Sequence, residues 1–411
     1  MPSSTPPGSP ATPRLSILIF LSALAVLPLN MFVPSLPRIA EDLDAGFALA
    51  NLAVAGYAVA TAFAHLAAGA LSDRFGRRPV ALAALAIFTL ASLGCSLAGS
   101  IGTFLLFRCL QSVVIAGYAV SLAAIRDTCD ERMVAGRIGY LSSAWAVAPM
   151  VGPAIGGALD AHFGWRANFF VFAGLGAVAL CLAGFGLPET HRHRSSTFAR
   201  QLRGYAELAR SARFWAYAAC MACAIGTLYA FLGGAPLVAA QLGLASGTVL
   251  GLYMGLVPAG FMLGSYVVGH ASGRCTATGF IVAGRALTGL GLLLGLGLAA
   301  LGATHPLAFF GPCMAVGLGN GLTMPAANAR VLSIHPGLAG TASGLASALT
   351  VAGAGLISLL SGLVVQPAHA QGAVLGTMLA ASLLSGAAAL GIVRAERRLA
   401  ADAGAQARPT A

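Results

Sequence analysis

The sequence contains no lysine, and only 12 of its 411 residues are acidic. Charged side chains make up 9% of the chain, against about 25% in a soluble domain. A deficit that deep excludes an ordinary water-soluble protein, whose surface needs charge. With three tryptophans and 8% aromatic residues, no stretch forms a basic face interleaved with aromatics, so the net charge of +11 does not read as a nucleic-acid surface. The eight cysteines fall mostly in apolar stretches, without disulfide or metal spacing in a polar segment. Cys220 and Cys223 form a C-x-x-C, but apolar surroundings disfavour the thiolate a redox pair needs, and they read as packing residues. His191 and His193 beside Glu189 read as solvated linker residues. No cofactor and no metal ion are expected. An integral-membrane enzyme would need a convergent cluster of His, Asp, Glu or a nucleophile, and none is visible. The polar ends read as too short for the soluble domain of a sensor.

What the chain has instead is apolar length. Hydrophobic residues make up 58% and mean hydropathy is +0.85. A membrane span takes about 20 residues, and twelve apolar runs reach that length, near residues 15–34, 48–71, 79–99, 103–125, 138–159 and 166–187, then 214–237, 248–270, 278–301, 306–329, 340–364 and 371–393. The expected organisation is a disordered Pro-rich tail (1–14), a six-helix bundle (15–187), a polar linker (188–213), a second six-helix bundle (214–393) and a tail (394–411). The fold class expected is all-α, with twelve transmembrane helices in two pseudo-symmetric bundles. Of the 23 arginines, 20 fall in alternate segments, Arg274, Arg285 and Arg330 among them; Arg38 and Arg166 lie opposite, and Arg108 lies within a run. That asymmetry follows the positive-inside rule and puts both termini in the cytoplasm. Trp165 and Trp215, at run ends, read as interfacial belt residues.

Three motifs stand in order. Gly69, Leu71, Asp73, Arg74, Gly76, Arg77 and Arg78 spell G-x-L-x-D-R-x-G-R-R between the second and third runs; Arg108 and Gln111 give R-x-x-Q in the fourth; Pro149, Gly152, Pro153, Gly156 and Gly157 give P-x-x-G-P-x-x-G-G in the fifth. These residues resemble the major facilitator superfamily, and within it the twelve-helix drug:proton antiporters. Met31 to Pro37, Arg126-Asp127, Gly164 to Arg166, Pro188 to Thr190 and Gly340 to Ser343 are similar to the bicyclomycin/chloramphenicol-resistance (Bcr/CflA) branch. The resemblance implies antibiotic efflux across a bacterial inner membrane by proton antiport, with phenicols, bicyclomycin or sulfonamides as the substrate class. Export or import of an endogenous metabolite on the same fold is the alternative. The partners expected are a small-molecule substrate, protons and the lipid bilayer, with the chain a monomer.

The departures sharpen this reading. Asn30 stands where the branch has Asp, His65 where Gln is common, and Ser112 where Gly follows R-x-x-Q; no carboxylate is placed in mid-membrane. An Arg inside a span costs about 2.5–3.5 kcal/mol on the mildest scale, so Arg108 is expected on a polar cavity with Gln111 one turn on and Asn30 level with it. The alternative is snorkelling, since Arg108 is about five residues, ~7 Å, from the run's start. A cavity left net positive favours neutral or anionic substrates. His65 could carry the coupling proton or simply pack. Trp145 and Tyr57 are candidate cavity aromatics. Asp73, Arg74, Arg77, Arg78 and Asp127 read as a cytoplasmic latch that breaks as the halves rock, with Asp73 reaching the start of the eleventh helix near Gly340; the alternative is a solvated loop. The fifth-run motif reads as a gate, or as a structural kink.

Overall fold

In hydrocarbon each backbone N–H and C=O must be satisfied within its own segment or by a neighbour, which leaves helices as the natural solution for runs of this composition. The computed structural model describes residues 13–128, 131–190, 206–244, 246–271, 274–334, 339–366 and 369–406. The N-terminal tail and most of the expected linker, His191 and His193 included, lie outside them. The described residues form twelve long helical segments: α1 (Leu15–Asn30), α2 (Leu52–Phe75), α3 (Arg77–Ser96), α4 (Ile101–Gln111 and Ile115–Thr128), α5 (Glu131–Phe163), α6 (Arg166–Gly186), α7 (Ala212–Gln241), α8 (Gly247–Met254 and Leu256–Ala271), α9 (Ala277–Ala300), α10 (Leu307–Ile334), α11 (Ala339–Val364) and α12 (Ala370–Gln406). Eleven are long and apolar enough to cross a membrane; the remaining one, α5, has 33 residues.

Proline sets several of the breaks. α1 contains Pro28 and ends at Asn30; Pro34 and Pro37 then open a 3-10 turn (Val33–Ser35) and a short helix (Leu36–Asp42), because each lacks the N–H that would continue the ladder. Pro258 acts likewise on α8, which is interrupted at Gly255. α12 continues to Gln406, so residues 394–406, expected as tail, extend a helix. There Glu396 gathers three others, accepting from Tyr217 Oη of α7 at 2.8 Å and from Thr278 of α9, and pairing with Arg330 of α10 at 3.6 Å.

Within α1–α6 the strongest packing is α3 on α4, α3 on α6 and α2 on α4, then α5 on α1; within α7–α12 it is α9 on α10, α8 on α10, and α7 on α11 and α12. Two seams join the groups, α2 against α11 and α5 against α8. Each group has an aromatic centre. Phe32, Phe104, Trp165, Phe169 and Phe172 fill the first, with rings 5.3 to 5.9 Å apart, edge-on except for the tilted Phe32–Phe169 pair, and Phe231, Phe309 and Phe310 the second.

Trp165 departs from expectation. It is 1% exposed, buried against Phe104 and Phe169, with its indole N–H donating to Asp42 Oδ2 at 2.8 Å. Asp42 also pairs with Arg166 at 3.1 Å. A belt residue would keep one edge wet; Trp165 instead uses a carboxylate as its polar partner. Trp215 remains 47% exposed at the start of α7. Asp42→Ala should strand the indole N–H and lower stability by about 1–3 kcal/mol. Thermal unfolding in detergent of Asp42→Ala, Trp165→Phe and the double variant should show strong non-additivity; additive losses would mean that the pair does not act as a unit.

Candidate functional site: two buried arginines and a glycine seam

Arg108 projects from α4 seven residues after its start at Ile101, about 10 Å into the span. It is fully buried. Each guanidinium nitrogen has an acceptor: Nε and Nη2 donate to Ala53 O of α2 at 3.3 and 3.0 Å, Nη2 also to Pro28 O of α1 at 3.2 Å, and Nη1 to Gln111 Oε1 at 2.7 Å. Gln111 passes the network on, its Nε2 donating to Ser92 Oγ of α3 at 2.7 Å. Phe32 and Tyr57 cover the guanidinium with ring centres at 4.3 and 4.2 Å, an arrangement in which cation–π attraction replaces water. The expected open polar cavity is therefore not what Arg108 meets. It ties α1, α2 and α4 together, and its polar environment is made of carbonyls, an amide and ring faces. Asn30 turns back along α1 to Val26 O at 3.1 Å and makes no hydrogen bond to Arg108.

Arg285, counted from sequence with the cytoplasmic side, is a second interior arginine. It lies eight residues into α9, about 12 Å from the helix start, and is 5% exposed. Its Nε donates to Thr323 Oγ1 at 3.1 Å and its Nη2 to Asn320 Oδ1 at 2.7 Å, both on α10. Asn320 Nδ2 continues to Ala224 O of α7 at 2.9 Å. Each half thus centres on an Arg–amide pair that joins three helices, Arg108–Gln111 in one and Arg285–Asn320 in the other. Asn320, inside an apolar run, was the sequence signal available for the second.

The α2–α3 turn carries the first motif. Gly76 has φ +101°, a region that L side chains rarely adopt, and a Cβ there would sit 2.4 Å from Glu189 Oε2. Glu189 accepts from the amides of Arg77 and Arg78 at 2.9 and 3.2 Å, satisfying orphan donors at the start of α3. Arg77 Nε pairs with Asp127 Oδ2 at 3.2 Å and its Nη1 donates to Ser72 Oγ at 2.7 Å. The described bonds join α3 to α2, to the end of α4 and to the segment after α6; the expected reach of Asp73 to the start of α11 falls on side chains outside the described residues. Arg74 is exposed, over the Phe75 ring at 5.3 Å. The side chains of Asp73 and Trp145 lie outside the described residues. His65 is partly exposed on α2, its ring edge-on to Tyr118 of α4 at 6.4 Å.

The α5 motif packs on α1 through Gly152 and Gly156 and on the α5–α8 seam through Pro153 and Gly157. A Cβ on Gly156 would stand 1.6 Å from Met31 O at the break after α1, and one on Gly157 would stand 2.1 Å from Gly247 O of α8. From the other side, a Cβ on Gly251 would stand 2.4 Å from Pro153 O. Gly152 packs on Leu27 and Met31, while Pro149 and Pro153 remain inside the helix. The other seam is held by Asn51, which sequence reasoning did not single out. It is 2% exposed, its Nδ2 donates to Ser358 O of α11 at 3.0 Å, and Gly233 of α7 and Gly362 of α11 make room for it.

Three outcomes are expected. Gly76→Ala meets both a strained φ and the Glu189 carboxylate, and should lower the unfolding temperature more than Glu189→Gln does. Arg108→Met leaves the Pro28 carbonyl and the Gln111 amide oxygen without their described donor at about 1–3 kcal/mol each, so its unfolding temperature in detergent should fall clearly, with Arg108→Lys intermediate because a point charge cannot reproduce the planar fork. Equal stability of all three Arg108 forms would contradict the hub geometry. Cβ atoms at Asn51 and Gly362 would be 3.5 Å apart, within the usual disulfide range of about 3.5–4.5 Å. Asn51→Cys with Gly362→Cys should therefore cross-link under mild oxidation, read as a gel shift after cleavage between the halves, while neither single variant does.

A family model described as Major Facilitator Superfamily matches residues 18–359. The chain is 31% identical over 269 residues to the uncharacterized MFS-type transporter YdgK of Bacillus subtilis (strain 168), covering 63% of this chain and 67% of that one. It is 35% identical over 163 residues to the multidrug resistance protein MdtL of Klebsiella pneumoniae, an alignment spanning 39% of this chain and 42% of MdtL, less than half of that relative's length. Two solved structures share the fold. One is a bacterial homolog of the human lysosomal transporter Spinster, inward-facing and occupied (TM-score 0.72, 17% identity, 93% of this chain and 96% of that one). The other is the POT family transporter PepTSo (TM-score 0.75, 13% identity, 95% and 99%). Motifs, twelve-helix architecture and family match agree: the chain belongs to the Major Facilitator Superfamily and is a multi-span membrane transporter, not an enzyme.

Proposed function

We propose that this transporter exports small apolar compounds, neutral or anionic, across a bacterial inner membrane by alternating access, in exchange for protons, and that it belongs to the Bcr/CflA-like drug exporters. In this reading residues 15–187 and 214–393 are the two rocking halves, both termini are cytoplasmic, and the chain works as a monomer. The observation that carries it is the pair of seams. Backbone meets backbone at Gly157–Gly247 and at Gly251–Pro153, and Asn51 bridges α2 to α11. Contacts between halves that rest on missing side chains separate without stranding side-chain charge, as a gate must. The similarity to a multidrug resistance protein supports export over import.

Charge supports the substrate class. Arg108 and Arg285 have no carboxylate among their described hydrogen-bond partners. Two unneutralised guanidinium groups in a low-dielectric interior raise the potential for anions and lower it for cations. Proton coupling is assigned to His65, a partly exposed titratable group on the seam helix α2.

The experiment is growth inhibition of an exporter-deficient bacterial strain by phenicols, bicyclomycin, sulfonamides and cationic dyes. It compares the wild type with the Asn51→Cys, Gly362→Cys double variant at equal membrane expression. Resistance to neutral or anionic drugs but not to dyes is expected for the wild type. The double variant should lose it and regain drug transport in vesicles on reduction. Saturable export of a quaternary ammonium dye would overturn the substrate class; no resistance at all would favour metabolite transport. In vesicles with an imposed pH gradient, His65→Gln should abolish gradient-driven transport while keeping substrate exchange. Unchanged gradient dependence would remove His65 from coupling.

A further inference from the structure

A cavity of about 300 Å³ opens where the start of α1, the start of α3 and the end of α6 converge, lined by Arg14, Arg78 and Gly184 to Pro188. Neither the transport pathway nor the seams involve it. Both arginines are exposed. Arg78 Nη2 donates to Gly184 O at 2.6 Å, which fixes the guanidinium over the end of α6 and covers that carbonyl. Arg14 makes no side-chain hydrogen bond or ion pair among the described residues, although it occupies the N-cap of α1, a helix with no side-chain cap. The positive end of α1 therefore faces the same cavity as the two guanidinium groups. The neighbouring carboxylate, Glu189, is turned onto the Arg77 and Arg78 amides. The walls are close-set: a Cβ on Gly186 would lie 2.4 Å from Ile17 Cδ1.

Below the cavity, α6 presents an apolar track. Val178, Leu182 and Phe185 are 50%, 43% and 97% exposed, and their spacing places them on one helix face. A soluble anion would gain nothing from that track, whereas a lipid would lay an acyl chain along it while its phosphate met the arginines. We infer that this cavity is a binding site for an anionic phospholipid, its phosphate held between Arg14 and Arg78 and a chain packed on Val178, Leu182 and Phe185. The site lies at the helix ends, level with headgroups, and basic pockets there are suited to such lipids. The inference needs neither the substrate class nor the direction of transport proposed above.

The test is native mass spectrometry of the purified full chain titrated with phosphatidylglycerol or with phosphatidylethanolamine of the same acyl chains. Arg14→Gln and the Arg14→Gln, Arg78→Gln pair are compared with the wild type. Phosphatidylglycerol should bind the wild type in preference to phosphatidylethanolamine, and its affinity should fall about fivefold for each arginine removed. Val178→Ser with Leu182→Ser should weaken the same adduct. Equal retention of the two lipids, or unchanged phosphatidylglycerol binding by Arg14→Gln with unchanged unfolding temperature, would overturn the site. Displacement of the lipid by millimolar inorganic phosphate would also overturn it, as an ion site only. Arg14→Gln removes no described contact, so its result does not depend on the double variant folding.

Discussion

A guanidinium in a low-dielectric interior needs acceptors; the helices around Arg108 supply one to every nitrogen, whereas Arg285 has acceptors at Nε and Nη2 and none at Nη1 among the described residues. For Arg108 the acceptors are main-chain carbonyls of α1 and α2 and the amide of Gln111, which fixes the positions of three helices relative to one side chain. The Pro28 carbonyl is within reach because α1 ends two residues later. The break in α1, the depth of Arg108 and the closeness of α2 are thus one geometric statement. Arg285 repeats it in part on α9 with α10 and α7, through side-chain oxygens alone, where Arg108 uses two main-chain carbonyls and one side-chain amide. A buried charge of this kind adds little net stability, but it penalises every arrangement that leaves its donors dry, and that penalty specifies helix placement in a lipid environment where apolar contact alone discriminates poorly.

The seams follow the opposite logic. Where the hubs use charge to hold helices within a half, the contacts between halves at α5 and α8 use missing side chains. Gly157 and Gly251 allow main-chain approach, and the contact is held chiefly by dispersion, which is individually weak per atom pair. Polar bonding is thus concentrated inside each helix group, and the α5–α8 contact between the groups is apolar. Among the described hydrogen bonds, Asn51 to Ser358 crosses the α2–α11 seam as a neutral bond, worth on the order of 0.5–1.5 kcal/mol. It adds register to that seam.

The described bonds of Arg77, Arg78 and Glu189 at the α2–α3 turn join parts of the first half (α1–α6) and the segment after α6. Glu189, at the far end of that half's sequence, returns to cap α3, and Arg77 joins the turn to the end of α4 through Asp127. The turn is thereby welded to α4 and to the segment after α6, giving the half a rigid rim. Arg78, held over the end of α6, lies between this rim and the lipid.

Composition and periodicity determined the fold class. A chain with 9% charge and twelve apolar runs has few other ways to satisfy its backbone, so helix number, the approximate span limits and the three motifs were legible in order. The interior position of Arg108 and the polar partner Gln111 were legible too, since a charge inside an apolar run has to be explained. What surrounds them was not. A partner such as Pro28 O or Ala53 O is a backbone atom that every residue has, so no sequence pattern marks it. Arg285 sat near the start of a run and was indistinguishable from a boundary residue until α9 acquired limits. Asn51 carried no mark in the sequence, and its side chain, which makes no helix cap, crosses to α11. Trp165 looked like a belt residue until Asp42 was brought to its N–H. Local chemistry is written along the chain, but which side chain meets which carbonyl across a seam depends on helix depth and rotation, and those are fixed only when all the helices pack at once.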